Sequence, residues 1–211
     1  MKPWLASTRT SYDTVAAAYA GQLRDRLDDE PYLRAVLGLF AELAGSGPVA
    51  DIGCGPGWVT AHLHGLGVDA FGIDLSPEMI AYARRAQPGV RFEVGSMTDL
   101  TLRAASVSGV LAFWSMIHVP DCAVPGVLAG FRRVLRPRGV VPIGFHVGTE
   151  TTLKTSGYGG HPMHVHIHRR TPAVVSALLR DAGFTIEAEI LLNPDDRVPG
   201  GVVIARAPAA D

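Results

Sequence analysis

Ten residues, Pro48 to Gly57, written PVADIGCGPG, constrain this chain more than any other stretch. Val49, Ala50, Asp51 and Ile52 read as a short buried strand. Gly53, Gly55 and Gly57 interrupt it, and an apolar-periodic run opens at Trp58. The order is strand, glycine turn, helix. A residue without a Cβ lets such a turn take left-handed backbone angles and leaves bare main chain against which a ligand can lie. In open α/β sheets this turn falls at the carboxyl end of a parallel strand, where ligands bind.

The spacing narrows the ligand. The dinucleotide fingerprint is G-x-G-x-x-G; here Trp58 stands where its third glycine would be, and the pattern is D-x-G-x-G-x-G. That spacing speaks against a nicotinamide oxidoreductase. A second acid, Asp74, ends the next strand, FGID, where this topology places a carboxylate for ribose hydroxyls.

Strands and helices alternate through the rest of the chain. Residues 1–10 read as a loose arm. Ser11 or Asp13 caps a helix through TVAAAYAGQLRDRL, with Tyr12, Val15 and Tyr19 on one face. A helix PYLRAVLGLFAELA follows Asp28–Pro31 and stops at Gly45. After the glycine turn come helix WVTAHLHGL, strand VDAFGID, a helix capped by Ser76-Pro77-Glu78, and strand VRFEV. Strand VLAFW, helix PGVLAGFRRVL, a turn at Arg136–Gly139 and strand VVPIGFH complete the α/β alternation. Thr149–Gly160 reads as a loop and HVHIH as a short strand. Helix PAVVSALLRDA and strands FTIEAEILL and GVVIARA close the chain. Right-handed crossovers on a largely parallel sheet are the expected architecture.

VADIGCGPG followed by FGIDLS resembles the cofactor-binding half of Rossmann-like (class I) S-adenosylmethionine (SAM)-dependent methyltransferases, small-molecule type. The resemblance extends over about residues 11–206 through YDTVAAAY, VGSM, FWSMIHVP, GFRRVLRPRG and RTPAVVSALLRDAGF, with Arg138 in place of a usual glycine. It implies one domain, 1–211, with a helical lid at about 11–45 and a core at about 48–206. The core would be a doubly wound sheet, mostly parallel with an antiparallel last strand and helices on both faces. It implies SAM as cofactor and S-adenosylhomocysteine (SAH) as product. Gly53, Cys54 and Gly55 would meet the methionine end, which Asp51 orients. Asp74 would take the ribose, with Leu75, Met97 and Met79 around the adenine. Ser96 stands where many relatives carry Asp and offers a hydrogen bond without charge. Trp114 and Ser115 would sit beside the methyl, and Tyr19 or Tyr12 would close the site from the lid.

His118 is a proton acceptor or a wall residue hydrogen-bonded to backbone; an imidazole suits either role near neutral pH. His164, His166 and His168 share one face of a strand. They read as a substrate wall, with His166 as a second catalytic candidate, or as a solvent face. Neighbours on one strand face lie ~6.5–7 Å apart, too far for three in a row to fit one metal ion well, so no metal is expected. Arg169 or Arg170 could pair with a substrate carboxylate or be solvated.

The formal net charge of −1 and the absence of a basic cluster speak against nucleic acid as a partner. FWSM has neither the Asn/Asp-Pro-Pro-aromatic run of amino-directed DNA methyltransferases nor a Pro-Cys nucleophile. No leader or membrane span is legible, and the expected compartment is the cytoplasm, which keeps Cys54 and Cys122 reduced. The expectation is methyl transfer to an O, N or C atom of a small molecule, in bacterial secondary or cofactor metabolism, by a monomer or homodimer. The alternatives are a non-methylating reaction on the same fold, such as cyclisation or decarboxylation, or a nonenzymatic SAM-binding module.

Overall fold

The glycine-terminated strand lies at the centre of a seven-stranded sheet. A computed structural model describes residues 1–209; the last two positions of the expected 1–211 domain lie outside the described residues. In chain order the elements begin with α1 (Pro3–Gln22), α2 (Arg26–Asp29), α3 (Pro31–Ala44), β1 (Val49–Ile52) and α4 (Trp58–Gly65). There follow β2 (Ala70–Asp74), α5 (Pro77–Ala86), β3 (Arg91–Val94), β4 (Val107–Phe113), α6 (Val124–Val134) and β5 (Leu135–His146). The chain ends with β6 (Thr151–Gly157), β7 (His161–His168), α7 (Pro172–Asp181), β8 (Thr185–Leu192) and β9 (Gly200–Arg206). Two 3₁₀ turns, Met116–His118 and Asp121–Ala123, join β4 to α6.

The strand order is β3-β2-β1-β4-β5-β9-β8. The first five strands run parallel, and β9 is antiparallel to both of its neighbours. This is the Rossmann-like, doubly wound α/β sheet with an antiparallel last strand. The strand order reverses between β1 and β4, so the loops after these two strands part and leave a crevice at their carboxyl ends.

All four residues of β1 are buried, as expected of a strand covered on both faces. Ala50 and Ile52 face the layer of α6 and α7, where Val127, Leu128, Phe131 and Leu179 pack. Val49 faces the other layer with Leu37, Phe40 and Leu63. The two-residue period therefore turns Asp51 towards α3 and α4.

Four local expectations are corrected. Residues 1–10 are not an arm: α1 starts at Pro3, where a missing N–H costs nothing. Its first turns are held by tertiary contacts rather than by propensity. The Ser7 hydroxyl donates to the His164 carbonyl (2.5 Å), and Ser11 Oγ accepts from the His164 amide (2.8 Å). Ser11 and Asp13 thus lie inside the helix and cap nothing of it; Asp13 instead accepts from Ser76 Oγ (2.6 Å) at the start of α5. Thr149–Gly160 is not a loop, because Thr151–Gly157 pairs with β7 as a separate two-stranded hairpin. The β-branched threonines suit its exposed side. Arg136–Gly139 is not a turn but a bulged start of β5, with Arg138 at φ +60° where a glycine was the expected residue.

The inner face of β7 carries Met163 and Val165 against Val15 of α1. The hairpin thus props the first helix over the crevice. Among the described residues no helix is long and apolar enough to cross a membrane.

Candidate active site

The turn after β1 is built on left-handed glycines, with Gly53 at φ +80° and Gly55 at φ +55°. A Cβ on Gly53 would fall inside the van der Waals envelope of Ser115. A Cβ on Gly55 would meet only Tyr19, 4.0 Å away, so bare main chain faces the crevice there. The Gly53 amide donates to the Ile73 carbonyl (2.7 Å) and the Ser115 hydroxyl to the Ile52 carbonyl (2.6 Å), tying the ends of β1, β2 and β4 together. Asp74 Oδ2 accepts from the Gly55 amide and Oδ1 from the Ser76 amide, both at 2.8 Å. Burial pushes the Asp74 carboxyl up, and the Ser76 and Gly55 amides pull against that shift.

A cavity of about 750 Å³, its open mouth included, runs across this turn. That is within the range of small-molecule sites. Gly53, Gly55 and Asp74 form its floor, and Leu75, Met79, Ser96 and Met97 one wall. Tyr12 and Tyr19 close it from α1, and Trp114, Ser115, His118 and Val119 form the end past β4. Trp114 is held at φ +48°, a left-handed angle that only a constrained loop keeps in a non-glycine residue.

His118 is 8% exposed and bonded at both ring nitrogens. Nδ1 lies 2.8 Å from the His166 carbonyl, which can only accept, so the ring proton is on Nδ1. Nε2 is then an acceptor and takes the Tyr12 hydroxyl at 2.7 Å. Burial pulls the imidazole down to about 4, so it is neutral at physiological pH. Burial, with the hydroxyls of Tyr158 and Tyr19 nearby, pushes the Tyr12 phenol up. The loop carrying His118 is fixed by Arg170, whose guanidinium, 4% exposed, donates to the carbonyls of Val119 (2.6 Å) and Met116 (3.4 Å) and to Asp121 (2.7 Å).

Most of the expected residues therefore converge, but several do not. Asp51 is absent from the cavity wall: it faces α4 and accepts from Thr60 Oγ1 (2.7 Å), and burial raises its carboxyl to about 7. Cys54 turns its thiol into a cluster with Ile80, Ala83 and Phe92. His164 and His166 are exposed and off the cavity wall, because the period of β7 sends its even-numbered side chains outward. Of His166 only the main-chain carbonyl reaches the site. Ser96 does line the cavity, with its Oγ 2.8 Å from Thr98 Oγ1 within its own turn. Arg169 pairs with Glu150, and Arg170 serves the loop rather than a carboxylate ligand. Among the described residues no group of three or more His, Cys, Asp or Glu is arranged to hold a metal ion.

The reading of residues 1–10 as an arm missed Trp4, Leu5, Thr8 and Arg9, which also line the cavity. Pro3 at a helix start and Trp4 in a polar segment were the available signals.

Fold and site together define a nucleoside-binding protein of the doubly wound α/β class. The glycine floor would leave main chain open to the methionine end of SAM, the Asp74 oxygens have lone pairs that ribose hydroxyls would use, and Leu75, Met79 and Met97 would give an apolar slot for adenine. The residues present fit that cofactor.

Comparison with known proteins agrees. Residues 49–139 match the family model described as a methyltransferase domain. A ubiquinone biosynthesis O-methyltransferase of Thiobacillus denitrificans is 31% identical over 163 residues, covering 70% of this chain and 68% of that protein. A Burkholderia thailandensis 1,6-didemethyltoxoflavin-N1-methyltransferase, solved with its acceptor and SAH, is 25% identical, with TM-score 0.74 over 99% of this chain and 91% of that one. A DhpI–SAH complex is also 25% identical, with TM-score 0.76 over 99% and 98% of the two chains. The chain belongs to the SAM-dependent methyltransferase family, and SAM is its cofactor. It spans just under two thirds, 63–65%, of the length of several other curated relatives that it matches.

Proposed function

We propose that this protein transfers the methyl group of SAM to a small-molecule acceptor. The observation that carries this reading is one continuous cavity that joins the glycine turn and Asp74 to the end of β4, where Trp114, Tyr12 and His118 stand. Bound there, the cofactor supplies an electrophilic methyl on a sulfonium. The chain's part is positioning: Gly53 and Gly55 admit the methionine end, Asp74 holds the ribose, and Leu75, Met79 and Met97 hold the adenine. Tyr12 and Tyr19 on α1 exclude water from above, and Trp114 and Ser115 fix the end of the cavity where an acceptor would meet the methyl. His118, neutral and with its acceptor nitrogen on the Tyr12 hydroxyl, is the candidate base. A relative that methylates oxygen and a structural neighbour named for N1-methylation support a small-molecule acceptor.

Isothermal titration tests the reading. SAM should bind at micromolar affinity while NAD is silent. Asp74→Ala should weaken SAM more than ~30-fold, since charged hydrogen bonds are worth ~1.5–3 kcal/mol each. Unchanged affinity in that variant would remove the site assignment, and no binding by the wild-type protein would remove the activity with it.

A further inference from the structure

We infer that the acceptor is an uncharged aromatic hydroxyl whose proton passes through the Tyr12 hydroxyl to Nε2 of His118. This deepens the methyl-transfer reading and rests on it.

The geometry assigns each proton. The His166 carbonyl fixes the imidazole proton on Nδ1, leaving Nε2 with the ring's one open lone pair. That pair faces the Tyr12 hydroxyl at 2.7 Å, so Tyr12 donates. The Tyr12 oxygen keeps lone pairs of its own, and both side chains line the cavity. A hydroxyl arriving there can donate to Tyr12 while Tyr12 donates to His118. The hairpin carbonyl holds the imidazole from behind and Arg170 holds the loop that carries it, so the chain of donors has one direction.

The surroundings select the acceptor. Among the lining residues the other charged groups are Asp74, whose two oxygens already receive main-chain amides, and Arg9, which cannot accept a proton. Trp114, Phe113, Val119 and Trp4 line the same cavity as the pair. Asp74 is the one carboxylate among the described lining residues, and the one lining cation, Arg9, is paired with Asp13 at 3.7 Å. Aromatic walls beside the Tyr12 hydroxyl fit a neutral ring. A neutral imidazole held in a buried site is a weak base, so the more acidic phenolic proton is within its reach before that of an aliphatic alcohol.

The step balances. The acceptor oxygen forms a bond to the methyl carbon as the carbon–sulfur bond breaks, and that bond's electron pair goes to sulfur. The acceptor proton moves to Tyr12 Oη as the proton of Tyr12 moves to His118 Nε2. The imidazolium returns its proton to water when product leaves. Tyr12 is the group that touches the acceptor; His118 acts through it.

The probes are para-substituted phenols from 4-methoxyphenol to 4-nitrophenol, with SAM carrying a labelled methyl. Wild type should methylate the series. Tyr12→Phe and His118→Gln should lose ~100-fold or more on 4-methoxyphenol, but less than ~5-fold on 4-nitrophenol, which is largely ionised at pH 8. SAM affinity by titration should stay within ~3-fold in both variants. Independently of turnover, ¹⁵N spectra of the cofactor-free wild-type protein should show His118 Nε2 unprotonated and shifted by added 4-methoxyphenol. Equal losses across the series, or an Nε2 signal blind to phenol, would make the pair a structural tie and overturn the proposal. SAM binding without methylation of any phenol would overturn the acceptor class alone; no SAM binding would overturn the parent reading.

Discussion

Replacing His118 by Gln should change how stability depends on pH in a way that can be worked from the structure. The imidazole is bonded to Tyr12 and to the His166 carbonyl, and burial brings it to about 4 from an ordinary 6.5. Because the folded value is depressed, the unfolded chain takes up the proton first. The wild-type protein therefore loses stability as pH falls through 6.5, and the loss is nearly complete at about 4. Between pH 7.5 and 4.5 it amounts to about 2–3 kcal/mol at 1.36 kcal/mol per unit. The Gln variant gives up hydrogen bonds worth ~1 kcal/mol each, and so should be less stable by about 1–3 kcal/mol at pH 7.5. It carries no titrating group at this position, so its deficit should close, or reverse sign, at pH 4.5. Urea unfolding of both proteins at four pH values measures this, and the difference between them cancels every other titrating group, His146 and the carboxylates included. Parallel profiles from pH 7.5 to 4.5 would refute the argument, because His118 would then titrate alike in the folded and unfolded chain.

Asp51→Asn tests the opposite sign: a carboxyl raised to about 7 favours the folded state while protonated and loses that advantage as pH rises from about 4 to 7. The Asn variant, still able to accept from Thr60, should be more stable than wild type at pH 8 by up to about 4 kcal/mol in the same assay; equal stability at pH 8 would show that Asp51 ionises normally. Gly53→Ala should cost about 2–5 kcal/mol, from an alanine held at φ +80° and from its collision with Ser115. Adding Ser115→Gly should restore the steric share in a thermal melt but not the backbone share.

The sequence by itself determined the sheet. VADI, FGID and VLAFW are apolar runs ended by turn residues, separated by helices with Ser76 or a proline at their starts, and only parallel crossovers join them. It also determined the floor of the cavity, because Gly53, Gly55 and Asp74 act through main-chain angles and the end of a strand, both local properties. Tertiary structure decided which acids and histidines reach the cavity. Asp51 has the spacing of a ligand but sits on the face of β1 that meets α4, so Thr60 takes it. His166 has the chemistry of a base, but its place in β7 sends the ring to solvent and leaves only its carbonyl behind His118. The segment Pro3–Arg9 is short and weakly patterned, and it becomes a wall of the site only because the β6–β7 hairpin supplies partners for Ser7 and Ser11. Hydrogen bonds between residues 48 to 157 positions apart leave no periodicity in a sequence, and here they place α1 and fix the proton on His118.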